Sequence, residues 1–401
     1  MQLYRYLTEN HQKLSLYELC GHVEKLHLAK LTDVIIGSIL KAKLISSLHD
    51  IDSPMVMGRV LYLLNKCPSM DDEFFVMITN HIYNKGIYPS GDVPRLWCRY
   101  FKFIGDSRLY HRGLLEVLCG GFSEYLQAYL DRPAGLHPRR MQESVAIAAW
   151  ALAISAPNVA CDSVFERMLA LTCMSGIERS VLIRIYWSMA IRKWRMDKLD
   201  LCLLDRLFND TMCDSSVGLR RKSHIHQIYT VLRCLKLCGI DDLKLLDRCL
   251  EALHALKYGQ NDSKISTSQR YVSDVLVRLG IPHKLELLTP DLLSIDIAIE
   301  GQGERIALEV DGPLHFTRIC DGSATSTPMK TGPTQIKQDF LKSSGWSFLS
   351  VPPVKLDDSV DLSAAIGSID AYYKRLLLES GSPYLRRLLD SQQHIITSSN
   401  V

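Results

Sequence analysis

Apolar residues recur at i, i+3, i+4 and i+7 through most of the first 255 positions, the period of helices with one buried face. LTDVIIGSILKAKLISSL at 31–48, VMGRVLYLLNK at 56–66 and DEFFVMITNHIYNKG at 72–86 are the clearest runs. Between the runs stand helix-stop and helix-start residues: Ser53-Pro54, Pro68-Ser69, Pro89-Ser90-Gly91, Pro133-Ala134-Gly135 and Ala156-Pro157-Asn158. Helices joined by breaks this short fold back as antiparallel hairpins. Beyond position 283 the spacing becomes that of strands. Segment 284–288, then Ile295–Ile299 and Arg305–Val310 around a Gly301-Gln302-Gly303 turn, predict three strands. A helix over Lys337–Ser344 stops at Gly345, and Trp346–Val351 predicts a last strand. A helix at 268–279 precedes this group and closes on Gly280. Amphipathic helices at 362–378 and 383–390 end the sequence. The expected organisation is a helical domain over 1–256, a polar linker at 257–267, a small α/β domain at 268–360 and a helical tail at 361–401.

The helical part repeats itself. Trp150-Ala151-Leu152-Ala153-Ile154 and Trp187-Ser188-Met189-Ala190-Ile191 share a core and lie 37 residues apart. Each precedes a break and a second apolar helix, VFERMLALTC at 164–173 and LDLCLLDRLF at 199–208. Tyr229-Thr230-Val231-Leu232 is a weaker echo. That period is one helix-turn-helix unit, which makes an α-helical solenoid the expected form of the first domain. The Ala and Trp positions read as packing: Ala lets helices approach, and Trp fills the wedge between hairpins.

Composition adds little beyond this. An apolar fraction of 47% with 23% charged residues is that of an ordinary globular chain. No run of about 18 apolar residues occurs, so no membrane span is expected. The formal charge is only +3, and the basic excess lies in the helical part. Twelve cysteines include no CxxC pair; Cys234 and Cys238 share a helical face, but no second pair completes a zinc set. Reduced cysteines acting as small apolar residues imply a reducing compartment. MQLYRYLTENHQKL runs straight into a helical pattern and does not read as a transit peptide.

Three carboxylates break the apolar alternation of the strand region: Asp296, Glu309 and Asp311, with His315 on the next loop. Glu309 and Asp311, two apart on a strand, share a face, and a hairpin brings Asp296 opposite them. The Asp311-Gly312-Pro313 turn is expected to leave the cluster at a sheet edge. Asp296 and Glu309 are the candidate metal ligands, Mg²⁺ being the ion such a site would take if active, and His315 the candidate acid–base group. Cations flank the repeats: Arg139 and Arg140, Arg179 and Arg184, Arg192, Lys193 and Arg195 around Trp194, and Arg220, Arg221 and Lys222. Lysine and arginine at such positions hold phosphates, and Trp194 between cations is placed to stack on a base. His315 and Lys337 extend the set of RNA-contact candidates into the second domain. The Ser/Thr/Gly/Pro-rich loop 318–335 is long enough to be mobile or to fold on a partner.

EVDGPLHF at 309–316, the Gly332-Pro333-Thr334 turn, KQDFLKSSGW at 337–346 and SFLSVPP at 347–353 together resemble the RAP domain, in order and in spacing. The resemblance covers about residues 268–356. It implies a reduced restriction-endonuclease-like fold and an association with RNA in mitochondria or plastids, notably of apicomplexan parasites. The helical part resembles the heptatricopeptide or octotricopeptide repeats that precede such domains. In the wider nuclease fold an Asp, a Glu and a Lys two residues later hold a metal and activate water. Asp296 and Glu309 match, but Asp311 stands where the Lys is expected, which counts against catalysis. The expected function is binding and stabilising of RNA, most of all rRNA of a mitochondrial ribosome. Ribosomal proteins or other helical-repeat proteins would be its partners, in the mitochondrial matrix or alternatively the plastid stroma. The alternatives are a metal-dependent endoribonuclease or an mRNA-processing factor.

Overall fold

The computed structural model describes residues 2–66, 71–131, 139–155, 159, 161–213, 218–240, 243–256, 265–321, 329–351 and 362–398. The chain is mostly helical, with a small sheet region in its C-terminal part. No helix among the described residues is long and apolar enough to cross a membrane. The fold divides into two compact units: Met1–Asp214 with Phe316–Pro333, and Ser215–His315 with Thr334–Val401.

The first unit contains eleven α-helices among its described residues. They are α1 (Gln2–Asn10), α2 (Leu16–Leu28), α3 (Val34–Ser47), α4 (Pro54–Leu64), α5 (Asp72–Lys85) and α6 (Pro94–Ser107), then α7 (Arg112–Leu130), α8 (Arg139–Ser155), α9 (Asp162–Thr172), α10 (Arg179–Ile191) and α11 (Leu201–Cys213). The sequence punctuation sets the ends. Ser15 and Glu18 form a reciprocal capping box on α2, and Asp33 and Asp71 accept from the first-turn amides of α3 and α5. Pro54 and Pro94 occupy the opening turns of α4 and α6, where a missing N–H costs nothing. The expected breaks at 68–69, 133–135 and 156–158 fall outside the described residues.

Alternate helices lie side by side: α2, α4, α6, α8 and α10 in one row, α5, α7 and α9 in another. Trp97 and Phe101 of α6 meet Phe122 of α7 at ring separations of 5.3 and 5.0 Å, fastening the rows. Between α6 and α8 the approach is closest. A Cβ on Gly105 would stand 2.2 Å from the Trp150 ring, so only glycine fits beneath it. The repeated Ala153 and Ile191 do something else as well. The backbone of Gly332 lies on them, near enough that a Cβ there would meet the Ala153 carbonyl oxygen at 2.1 Å.

Gly332 belongs to the segment that returns to the first unit late in the sequence. Its short strand Arg318–Ile319 runs parallel to Leu109–Tyr110, with Arg318 N–H and Cys320 N–H donating to the Arg108 and Tyr110 carbonyls at 2.8 Å. The Arg318 guanidinium lies 4.7 Å from the Phe75 ring, pairs with Asp72 at 2.6 Å and donates to the Ser107 carbonyl. Asp321 accepts from the Arg112 amide at the start of α7, a favourable end for a carboxylate. The stretch expected to be a mobile or partner-ordered loop is thus anchored at both described ends by the chain's own helices. Its middle, 322–328, lies outside the described residues.

The second unit holds α12 (Gly218–Leu237), α13 (Leu243–Ala255), α14 (Thr267–Arg278), α15 (Gly332–Ser343, from Thr334 onward), α16 (Leu362–Glu379) and α17 (Pro383–Ser398). Its strands are β1 (Lys284–Leu288), β2 (Ser294–Gly301), β3 (Glu304–Val310) and β4 (Ser347–Val351), ordered β1-β2-β3-β4. The first two pairings are antiparallel and the third is parallel. One sheet face packs Ile297, Ile299, Ile306 and Leu308 against α14, α16 and α17; the other packs Ile295, Ala298 and Ala307 against Leu341 and Trp346. Helices α12 and α13, expected to complete the helical domain, go instead with this unit. Buried Arg233 of α12 stacks 4.3 Å from the Phe340 ring of α15 and donates to the Ser344 hydroxyl, and Tyr229 donates to the Asp291 carbonyl. The expected linker falls largely on 257–264, outside the described residues.

Replacing Gly105 with Ala should cost about 1–3 kcal/mol, the usual price of overpacking. Chemical denaturation checks this, and the cost should shrink in a Trp150→Leu background.

Candidate functional site

The carboxylate cluster is built where two strand regularities fail. Ile295 and Ile297, two apart, should share a face, yet they pack on opposite sides of the sheet. The alternation therefore slips at Asp296. Opposite, Glu286 of β1 has φ +51°, although the pairing register on either side of it is unbroken. The slip turns half-buried Asp296 toward β3, where its Oδ2 accepts from the Val310 amide at 2.9 Å. Glu309 follows the normal alternation onto the α15 side and is 2% exposed. There Lys337 Nζ of α15 meets its Oε2 at 2.5 Å, while its Oε1 is buried with no hydrogen-bond partner among the described residues.

Burial pushes the Glu309 carboxyl up to about 7, and the Asp296 charge adds to the rise against the opposing pull of Lys337. Asp311, 1% exposed, turns elsewhere: the Ser350 hydroxyl donates to it, and His315 Nδ1 stands 3.3 Å from its Oδ1. Among the described residues no three Asp, Glu, His or Cys groups converge as a metal-binding set. The sheet-edge expectation is corrected too. β3 has partners on both sides, so the cluster lies at the end of an interior strand and is buried. The expected Lys two residues after Glu309 is absent, but Lys337, twenty-eight residues on, puts its ammonium on the same carboxylate. Asp296 and Glu309 are the pair that could hold Mg²⁺, which commonly takes one or two carboxylates plus phosphate oxygens. The partnerless Glu309 Oε1 is consistent with such an ion.

The cations picked from the sequence separate into structural and exposed groups. Arg192 donates to the Leu152 carbonyl at 3.3 Å and the Val159 carbonyl at 2.7 Å, and lies on Phe165; it closes the end of α8. Trp194 is packed rather than open for stacking: its ring lies 5.7 Å from Phe165 and its N–H donates to Asp162. Arg195 covers Trp194 and pairs with Glu166, and Lys193 beside it is exposed with φ +52°. Arg179 donates to the Asp210 carbonyl, and half-buried Arg184 has its basicity lowered by desolvation. Arg139 is exposed, 4.0 Å from Glu178. Arg220, Arg221 and Lys222 stand on α12, in the second unit. His315 and Lys337 are held by Asp311 and Glu309.

Arg140 alone of these joins a larger group. With Arg95, Arg99 and Lys102 of α6, and with Tyr62 and Glu143, it lines a groove of about 240 Å³. Lys102 pairs with Asp106, but Arg95, Arg99 and Arg140 make no ion pair among the described residues. Burial, then the neighbouring Arg95, with Arg59 contributing, lower the Arg99 pKa below the ordinary arginine value. Arg95, Arg99 and Lys102 were legible as i, i+4 and i+7, one face of a helix, though no repeat flanks them. No known protein-family model matches the chain.

A raised carboxyl pKa means that the folded state holds this proton more tightly than the unfolded chain. The stability from Glu309 is therefore full below the ordinary 4.5 and is lost as pH rises through about 7. Glu309→Gln should gain on the parent in thermal melts across that interval. A difference independent of pH would count against the assignment.

Proposed function

We propose that this chain is an RNA-binding protein that holds rRNA through a helical-repeat solenoid and a RAP-like, nuclease-shaped module. Its expected place is the mitochondrial ribosome, in the matrix, with the plastid stroma as the alternative compartment. The observation that carries this reading is the excess of cations on α6 and α8, where Arg95, Arg99, Lys102 and Arg140 share one groove with a single carboxylate, Glu143, and the three arginines make no ion pair among the described residues. Arg95, Arg99 and Arg140 crowd one groove, and two of them press on each other's charge. Like charges gathered in excess of their counter-charges destabilise a free protein and are relieved by a polyanion. Each phosphate bound displaces condensed counterions, so affinity should fall steeply with salt. Rows of alternate helices and the ordered helix–sheet module following them are the architecture that the RAP resemblance implies.

A second reading, metal-dependent RNA hydrolysis, is favoured by Lys337. A nuclease of this shape uses a lysine to steady charge growing on the scissile phosphate, and Lys337 stands beside Glu309 as such a residue would. Asp296 and Glu309 would hold the metal, which would lower the pKa of a water attacking phosphorus.

In binding assays across a salt series, Arg95→Ala/Arg99→Ala/Arg140→Ala should flatten the slope of log affinity against log salt by roughly 2 for single strands. An unchanged slope would remove the groove from the interface. For the second reading, Mg²⁺-dependent cleavage of RNA that is abolished in Asp296→Ala and in Lys337→Met would establish catalysis. Cleavage retained in both variants would exclude this cluster.

A further inference from the structure

We infer that the face carried by α2, α4, α6 and α8 takes single-stranded RNA rather than duplex, with an unpaired base stacked on the Arg99 guanidinium. This rests on the RNA reading above. The observation is a ladder of cations laid on aromatic rings, one at each step between neighbouring helices of the row. Arg59 of α4 lies 4.8 Å from the ring centre of Tyr17 on α2. Arg99 of α6 lies 5.6 Å from that of Tyr62 on α4. Lys102 of α6 lies 6.0 Å from that of Trp150 on α8.

A surface that only attracts a duplex backbone needs charges and no rings. The rings change what the cations offer. A ring beneath a guanidinium holds it flat and strips water from one side, leaving the other as a prepared plane. Unpaired bases stack on such planes, whereas the bases of a duplex are already stacked and show only their edges.

Arg59 and Arg99 then differ in a useful way. Arg59 is neutralised by Glu24, at 3.2 and 2.9 Å from its Nε and Nη2, so it keeps its plane and gives up its pull on phosphate. Arg99 makes no ion pair among the described residues, Glu24 acting on it only at longer range, so it supplies both. Tyr17 is 64% exposed, so the ladder opens to solvent. The groove at Arg99, about 240 Å³, is below the usual ~300–1,000 Å³ of whole small-molecule sites. It suits one base of a chain whose remainder runs outside.

The test is fluorescence anisotropy of the full chain with a labelled oligouridylate and with a duplex RNA of equal length, at fixed salt. The parent should prefer the single strand. Arg99→Lys keeps the charge and removes the plane, so it should weaken oligouridylate about tenfold, the scale of one stacked base, and leave duplex binding unchanged. Tyr62→Leu should act like Arg99→Lys, and Tyr62→Phe should retain parental affinity. Tyr17→Leu, at an exposed position, should also weaken the single strand without touching the core. Equal affinity of the parent for the two RNAs, or full oligouridylate binding by Arg99→Lys, overturns the single-strand inference while leaving RNA binding standing. Binding to neither RNA overturns the function itself.

Discussion

The first unit depends on how closely α8 can lie on α6. Trp150 occupies the space that a side chain at 105 would need, and the absence of that side chain lets the helices close. Everything of chemical interest on that face follows from the closeness. It sets Arg140 of α8 beside Arg95 and Arg99 of α6, and it lays Trp150 under Lys102. The charges crowd because apolar packing beneath them leaves no choice. Burial of a large ring is worth a few kcal/mol, enough to hold like charges near each other at a half-exposed surface where solvent screens them.

The second unit makes the converse bargain. A carboxylate on an interior strand is expensive to bury, and Glu309 meets the cost by taking an ammonium from α15 and by holding its proton more tightly. Asp296 reaches toward β3 where the side-chain alternation of β2 breaks, between Ile295 and Ile297. Asp311, although two residues from Glu309, is drawn off by Ser350 and His315. The result is two neighbouring pairs, Glu309 with Lys337 and Asp311 with His315, where residue spacing suggests one three-carboxylate cluster.

Much of this was legible in advance, for stated reasons. Apolar periodicity and the Ser, Asp and Pro at helix starts predict the helices, because caps and proline act locally. The hairpin at Gly301–Gly303 and the last strand at 347–351 are equally local. What the sequence hid was long-range. Lys337 meets Glu309 from twenty-eight residues away, and nothing in a strand motif points to a helix that far on. Arg192 and Trp194 read as an RNA-facing pair because their partners, Leu152, Val159 and Asp162, are distant backbone and side-chain groups. Arg95, Arg99 and Lys102 have the spacing of one helix face but lie outside the sequence repeats. A break in side-chain alternation at Asp296 leaves no trace in composition.

The Arg318 anchor bears on the order in which the chain can fold. Its strand partner and the Ser107 carbonyl it grips lie about two hundred residues upstream, separated by nearly all of the second unit's sheet. Contacts so distant in sequence form late. A nascent chain emerging N-terminus first can build α1 to α11 early, but the seat around Asp72, Phe75 and Ala153 stays unfilled until residue 333 has been made. The first unit is therefore completed only after the first three strands of the second have been made.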